Sequence, residues 1–179
     1  MKAKIKTAGA QAKRASSADT RAGAALPLAI KSILVPTDFS APARVALRQA
    51  VALAKTFGAK LTLLHVVEPV GPTPDFAYNP MIMQDEKLLK ATRHHLDQLV
   101  VREGIAASSV ERKLVVEGVP FHEIARTAAS LKVDLIVVAT HGYTGFAHVI
   151  LGSTAERIVR HASCPVLVVR GEEADSRKS

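Results

Sequence analysis

At 179 residues, 48% hydrophobic and 22% charged, the chain has the size of one domain and can bury a core without disulfides or metals. Its one cysteine, Cys164, excludes a disulfide framework and a multi-cysteine metal or cluster site. The net charge of +8 is uneven: residues 1–28 carry +5, residues 29–171 carry +4 and residues 172–179 carry −1. The basic excess is therefore concentrated in a leading arm.

Residues 1–28 are rich in Ala, Lys, Ser, Thr and Gly and lack apolar periodicity, so a flexible basic N-terminal extension is expected. Contact with nucleic acid is expected only through that arm, a transit-like peptide is the other reading, and no apolar stretch there suits a secretory signal. Ile33-Leu34-Val35, closed by Pro36, reads as a first strand. Ser40 and Pro42 mark the start of a helix whose apolar positions run from Val45 to Phe57, and Gly58 stops it. Leu61 to Val67 is a second strand. Leu88, Thr92, His95, Leu96, Leu99 and Val100 recur at helical spacing between about Gln84 and Glu103.

Arg112 to Val116 reads as a third strand, and Pro120 opens a helix with Phe121, Ile124, Ala125, Ala128 and Leu131 on its apolar stripe. Leu135 to Ala139 is continuously apolar, as a strand buried on both faces should be. Ser153 to His161 reads as a last helix and Pro165 to Val169 as a last strand. Strand and helix alternate throughout, which predicts an α/β domain over 29–171: a Rossmann-like, five-stranded parallel sheet with helices on both faces. Residues 172–179 form a polar tail. No apolar run is long enough to span a membrane, so no membrane contact is expected.

In such a sheet a ligand lies at the carboxyl ends of the strands, where strand order reverses. Two strand ends are chemically equipped, Thr37-Asp38-Phe39-Ser40 after the first and Thr140 to Gly145 after the fourth. By fold analogy the order is 3-2-1-4-5, which sets both loops on one crevice. Gly142 and Gly145 permit a tight turn, and Gly152-Ser153 opens a helix whose amides and dipole favour an anion. Ordinary turn chemistry explains the same residues, with Ser153 capping the helix and Glu156 answering in a capping box.

Read in order, these segments resemble the universal stress protein family over about residues 30–170. The resemblance rests on Ile33 to Ser40, Leu63-Leu64-His65-Val66, Gly118-Val119-Pro120, Asp134 to Val138, Thr140-His141-Gly142, Gly152 to Arg157 and Cys164 to Val169. The nucleotide-binding branch of that family carries G-x2-G-x9-G-[ST], matched in register by Ala139, Gly142, Gly152 and Ser153. Ala139 replaces the first glycine, adding a methyl where backbone passes close to a ligand. The family aspartate that contacts the nucleoside matches Asp38, and the valine beside the base matches Val66.

The resemblance thus implies ATP, with a divalent cation such as Mg, held by Pro36, Thr37, Asp38, Val66, Ala139, His141, Gly142, Gly152, Ser153 and Thr154. From the residues alone, Asp38 reads equally as an Asx turn at the helix start. Val66 reads as core, and Cys164 as an inert core thiol.

No GxxxxGK[ST] loop is present, and Ala139 to Leu151 contains no lysine or arginine to serve phosphoryl transfer. The site is built to hold a nucleotide rather than turn it over; slow hydrolysis or self-phosphorylation, with Ser153, Thr144 and His141 as the nearest acceptors, is the lesser expectation. The expected function is a nucleotide-dependent stress-response module in the cytoplasm. The alternative is a nucleotide-free homodimeric interaction protein of the same fold. Pro69 to Pro80 reads either as a cover over the crevice or as a passive loop. A homodimer is expected through Val166 to Val169, which the family places at the sheet edge, unless helices or the polar tail cover that edge.

Overall fold

The structure is a computed structural model, and it describes residues 29–68, 86–140 and 152–170. The basic arm, the Pro69 to Pro80 segment, the loop holding His141 and Gly142, and the polar tail lie outside the described residues. The elements follow the expected alternation: β1 (Ser32–Pro36), α1 (Ala41–Phe57), β2 (Lys60–Val67), α2 (Glu86–Arg102), β3 (Val110–Glu117), α3 (Pro120–Leu131), β4 (Leu135–Ala139), α4 (Ser153–His161) and β5 (Val166–Val169). The sheet is five-stranded and parallel in the order β3-β2-β1-β4-β5. The chain therefore has the doubly wound α/β fold expected, with β1 and β4 as central neighbours.

Alternation along the strands divides the core between two helical layers. Ile33, Val35, Leu61, Leu63, Leu135 and Val137 pack with α1 and α2, while Leu34, Leu64, Ile136 and Val138 pack with α3 and α4. β4 is buried along its whole length, as its unbroken apolar run requires. At the amino ends of the strands, Asp134 Oδ2 accepts from the Lys31 and Ser32 amides (2.8 and 2.9 Å) and from Ser32 Oγ (3.0 Å). That cluster ties the start of β1 to the start of β4. The Lys31 amide in particular holds the Asp134 carboxyl below its ordinary range.

The helix limits obey local chemistry. Ser40 caps α1 by accepting from the Ala43 amide at 3.3 Å, and Gly58 ends it in the left-handed region at φ 67°. Four expectations need correction. Phe57 of α1 is 43% exposed, and His95 of α2 is also exposed. Leu88 is 50% exposed and off the buried stripe of α2, which consists of Thr92, Leu96 and Leu99. β3 runs past the Arg112 to Val116 limits at both ends, because it pairs with β2 from Leu61–Val110 to Val67–Glu117, and its edge position lets the polar Glu111 and Glu117 stay in the strand.

Candidate functional site

β1 ends in Pro36, and the chain turns at once through Thr37, Asp38 and Phe39 into the cap of α1. Several hydrogen bonds fix this turn, among them one from Arg44 Nη1 of α1 to the Phe39 carbonyl (2.9 Å). The Thr37 amide donates to the Leu64 carbonyl (2.9 Å), the Phe39 amide to Thr37 Oγ1 (3.1 Å) and the Ser40 amide to Asp38 Oδ1 (3.0 Å). The last is the Asx turn expected of Asp38. Phe39 takes φ 65°, a left-handed conformation that costs a bulky L-residue strain, and the turn's hydrogen bonds hold it there.

On the neighbouring strand, β4 ends at Ala139, and Thr140 anchors the return of the chain. Its amide donates to the Val169 carbonyl (2.8 Å), and its carbonyl accepts from the Gly152 amide (2.7 Å). Gly152 is the N-cap of α4, extended at φ −62°, ψ 146°, and no side chain bonds back to cap it. The Ser153–Glu156 capping box, the alternative that ordinary turn chemistry offered, is therefore not formed. Gly152 occupies the cap position itself and receives the Glu156 amide on its carbonyl (3.0 Å), which makes Ser153 the first helical residue. The opening turn of α4 thus presents backbone amides and the positive dipole end rather than a capping hydroxyl.

These two strand ends border one cavity of about 260 Å³. Eight of the ten residues singled out from sequence line it: Pro36, Thr37, Asp38, Val66, Ala139, Gly152, Ser153 and Thr154. His141 and Gly142 lie outside the described residues. Ala139 belongs at once to the cavity wall and to the core cluster packed with α1.

Sequence reasoning missed the remaining wall, including Leu64, Glu68, Pro120 and Ile124. The signal was present as spacing. Leu64, Val66 and Glu68 alternate onto one face at the carboxyl end of β2, and Pro120 and Ile124 stand one turn apart at the start of α3. The walls are thus apolar on the α3 side and polar where β1 and β4 end. The charged groups among the described lining residues are Asp38 and Glu68, both acidic. Among the described residues no cluster of three or more metal-ligating side chains occurs. No helix among them is long and apolar enough to cross a membrane.

Cys164 packs, half-buried, against the α3–α4 side of the core. Burial pushes its thiol above the ordinary range, with the charge of Asp134 adding to the effect, which disfavours the reactive thiolate.

The model of the universal stress protein family matches residues 29–170. A universal stress protein of Methanocaldococcus jannaschii is 34% identical over 151 residues, covering 78% of this chain and 82% of that one. Among solved structures, the universal stress protein UspA from Lactobacillus plantarum superposes with a TM-score of 0.64 at 31% identity, covering 79% of this chain and 98% of that one. A universal stress protein solved in complex with cAMP has a TM-score of 0.56 at 24% identity, covering 80% of this chain and 99% of that one, a likeness of fold.

Proposed function

Because the chain belongs to the universal stress protein family, we propose that it is a stress-response module that binds ATP, with a divalent cation such as Mg, in the cavity between the ends of β1 and β4. Nucleotide occupancy then governs its contacts with a partner in the cytoplasm, and residues 29–171 are the domain that does so. The observation that carries the reading is the joining of three features in one cavity: apolar walls, the Asp38 turn and the uncapped start of α4.

Each feature fits part of the ligand. Val66, Leu64 and Ile124 offer apolar surface for a base, and the Asp38 carboxylate accepts from ribose hydroxyls. The amides of Ser153 and Thr154 at the α4 start suit phosphate oxygens. Gly152, without a side chain, lets the backbone approach those oxygens closely, and His141 and Gly142 of the motif are proposed as further contacts. With two carboxylates lining the cavity and no lysine or arginine in Ala139 to Leu151, the cation would supply the countercharge that phosphates need. The protein of the cAMP complex shows that this fold can hold a nucleotide; for this chain the reading rests on its own cavity.

A nucleotide-free homodimer is the second reading, favoured by Ala139 at the first glycine position of the motif and by the apolar edge strand β5. Chromatography of the supernatant from heat-denatured purified protein distinguishes the two. Adenine nucleotide approaching the molar amount of protein supports the first. Its absence, together with no saturable uptake of added ATP and Mg, overturns the first in favour of the second.

A further inference from the structure

His65 lies on β2 next to Val66, yet the two side chains leave opposite faces of the sheet. Val66 borders the cavity, whereas His65 turns to the α1–α2 side and does not line it. There its Nδ1 lies 2.8 Å from the Thr37 carbonyl oxygen. A carbonyl can only accept, so Nδ1 carries the proton. The same imidazole stacks against Phe39, with ring centroids 4.6 Å apart and planes 31° apart. Phe39 also meets His95 of α2 edge-on, at 5.8 Å and 78°.

We propose that His65 is the positioning residue of the ligand-binding turn, holding Thr37 by its Nδ1–H and Phe39 by its ring so that Asp38 faces the cavity; this rests on the nucleotide-binding reading above. The strained residue explains why such a device is present. Phe39 sits at φ 65°, flanked by the two residues that border the cavity and by the Ser40 cap. Thr37 Oγ1 and Asp38 Oδ1 accept amides of the turn they belong to, and Arg44 of α1 donates to the Phe39 carbonyl at 2.9 Å, beyond the strained residue. His65 is the tie to a neighbouring strand through a side chain, and it holds the carbonyl immediately before Asp38. The Thr37 amide is bound to Leu64 of the same strand, so β2 grips the Thr37 peptide groups on both sides. His95, exposed on α2, adds a second ring contact to Phe39.

The test uses the full chain. Long-range 15N–1H spectra of the neutral imidazole should show His65 protonated at Nδ1; a proton on Nε2 instead overturns the proposal. Hydrogen exchange of the Phe39 and Ser40 amides then reads the turn without any ligand. His65→Leu should speed both at least tenfold while the β4 amides keep their protection. His65→Asn, whose side-chain amide can donate from nearly the same place, should restore them to within about threefold. Wild-type rates in His65→Leu, or no recovery in His65→Asn, overturn the positioning role. Titration with ATP and Mg should show His65→Leu at least fivefold weaker than wild type and His65→Asn within twofold. If wild type binds no nucleotide, the functional reading fails while the exchange measurements still judge the turn. Should His65→Leu fail to fold, the tautomer in the wild type and the exchange rates of His65→Asn decide.

Discussion

Asp38 serves its own backbone and borders the cavity at the same time. Its Oδ1 accepts the Ser40 amide at 3.0 Å, and the residue lines the space where a nucleoside would lie. Asp38→Asn separates the two functions, because an amide oxygen still closes the Asx turn while the negative charge is gone. A hydrogen bond to a charged acceptor is worth about 1 kcal/mol more than one to a neutral acceptor. Isothermal titration should therefore find ATP bound about fivefold more weakly, while the weaker bond from the Ser40 amide lowers the melting temperature by only a few degrees. An affinity equal to wild type would remove the carboxylate from the ligand's contacts. The sequence marked both roles of Asp38 and presented them as rivals, since a turn signal does not say which way the second oxygen of a carboxylate faces. Ser153 shows the finer limit: the motif located the start of α4, but only the backbone dihedrals of Gly152 decide which residue is the cap.

Elements were legible wherever burial is symmetric. β4 reads as a two-face strand because all five of its residues are buried, whereas β3 was read short because the charged Glu111 and Glu117 near its ends give no apolar signal. The packing of β1 against β4 left a trace in Asp134 that composition could not interpret. Its carboxylate joins residues 102 and 103 positions apart in the chain through the Ser32 and Lys31 amides. Asp134→Ala should cost about 1–2 kcal/mol by urea denaturation at neutral pH, from the loss of hydrogen bonds to a partly exposed charged group.

The pH dependence follows from the depressed carboxyl, which binds its proton less readily folded than unfolded. Its stabilisation is complete above the unfolded-state value near 3.9 and is lost as pH falls through the lower folded value. The gap in stability between wild type and Asp134→Ala should accordingly shrink below about pH 4. A gap that widens on acidification would refute this assignment.

At the scale of the whole molecule, the strand order leaves β3 and β5 as the two edges, and they differ in character. β3 carries exposed Glu111, Arg112 and Lys113, a guarded edge, whereas β5 is Val-Leu-Val-Val with Leu167 exposed. Pairing of β5 with a second copy remains our proposal, and backbone alternation supplies its test. The Pro165 and Val169 carbonyls accept from β4, so Val168 directs its backbone groups outward. Val168→Pro removes an outward N–H without breaking the ladder to β4. Sedimentation at micromolar concentration should give a dimer for wild type and a monomer for the variant; identical profiles would exclude a β5-edge dimer. Helix–strand alternation was enough to foresee the layered sheet. The cavity was only half legible, because its α3 wall is made by residues that look like ordinary core until the sheet brings them to the same edge.

The proposed nucleotide site is formed by the start of α4 and the end of β1. Gly152→Val tests it most directly, since the extended dihedrals of Gly152 admit a branched residue while the new side chain intrudes beside the amides of Ser153 and Thr154. Wild type and variant should be titrated side by side with ATP and Mg, with melting curves as the control. Wild type should bind saturably and the variant at least tenfold more weakly, about 1.4 kcal/mol or more, with a melting temperature lower only by the few degrees that valine costs at an N-cap. Equal affinities in the two folded proteins, or no binding by wild type at millimolar nucleotide, would contradict this site.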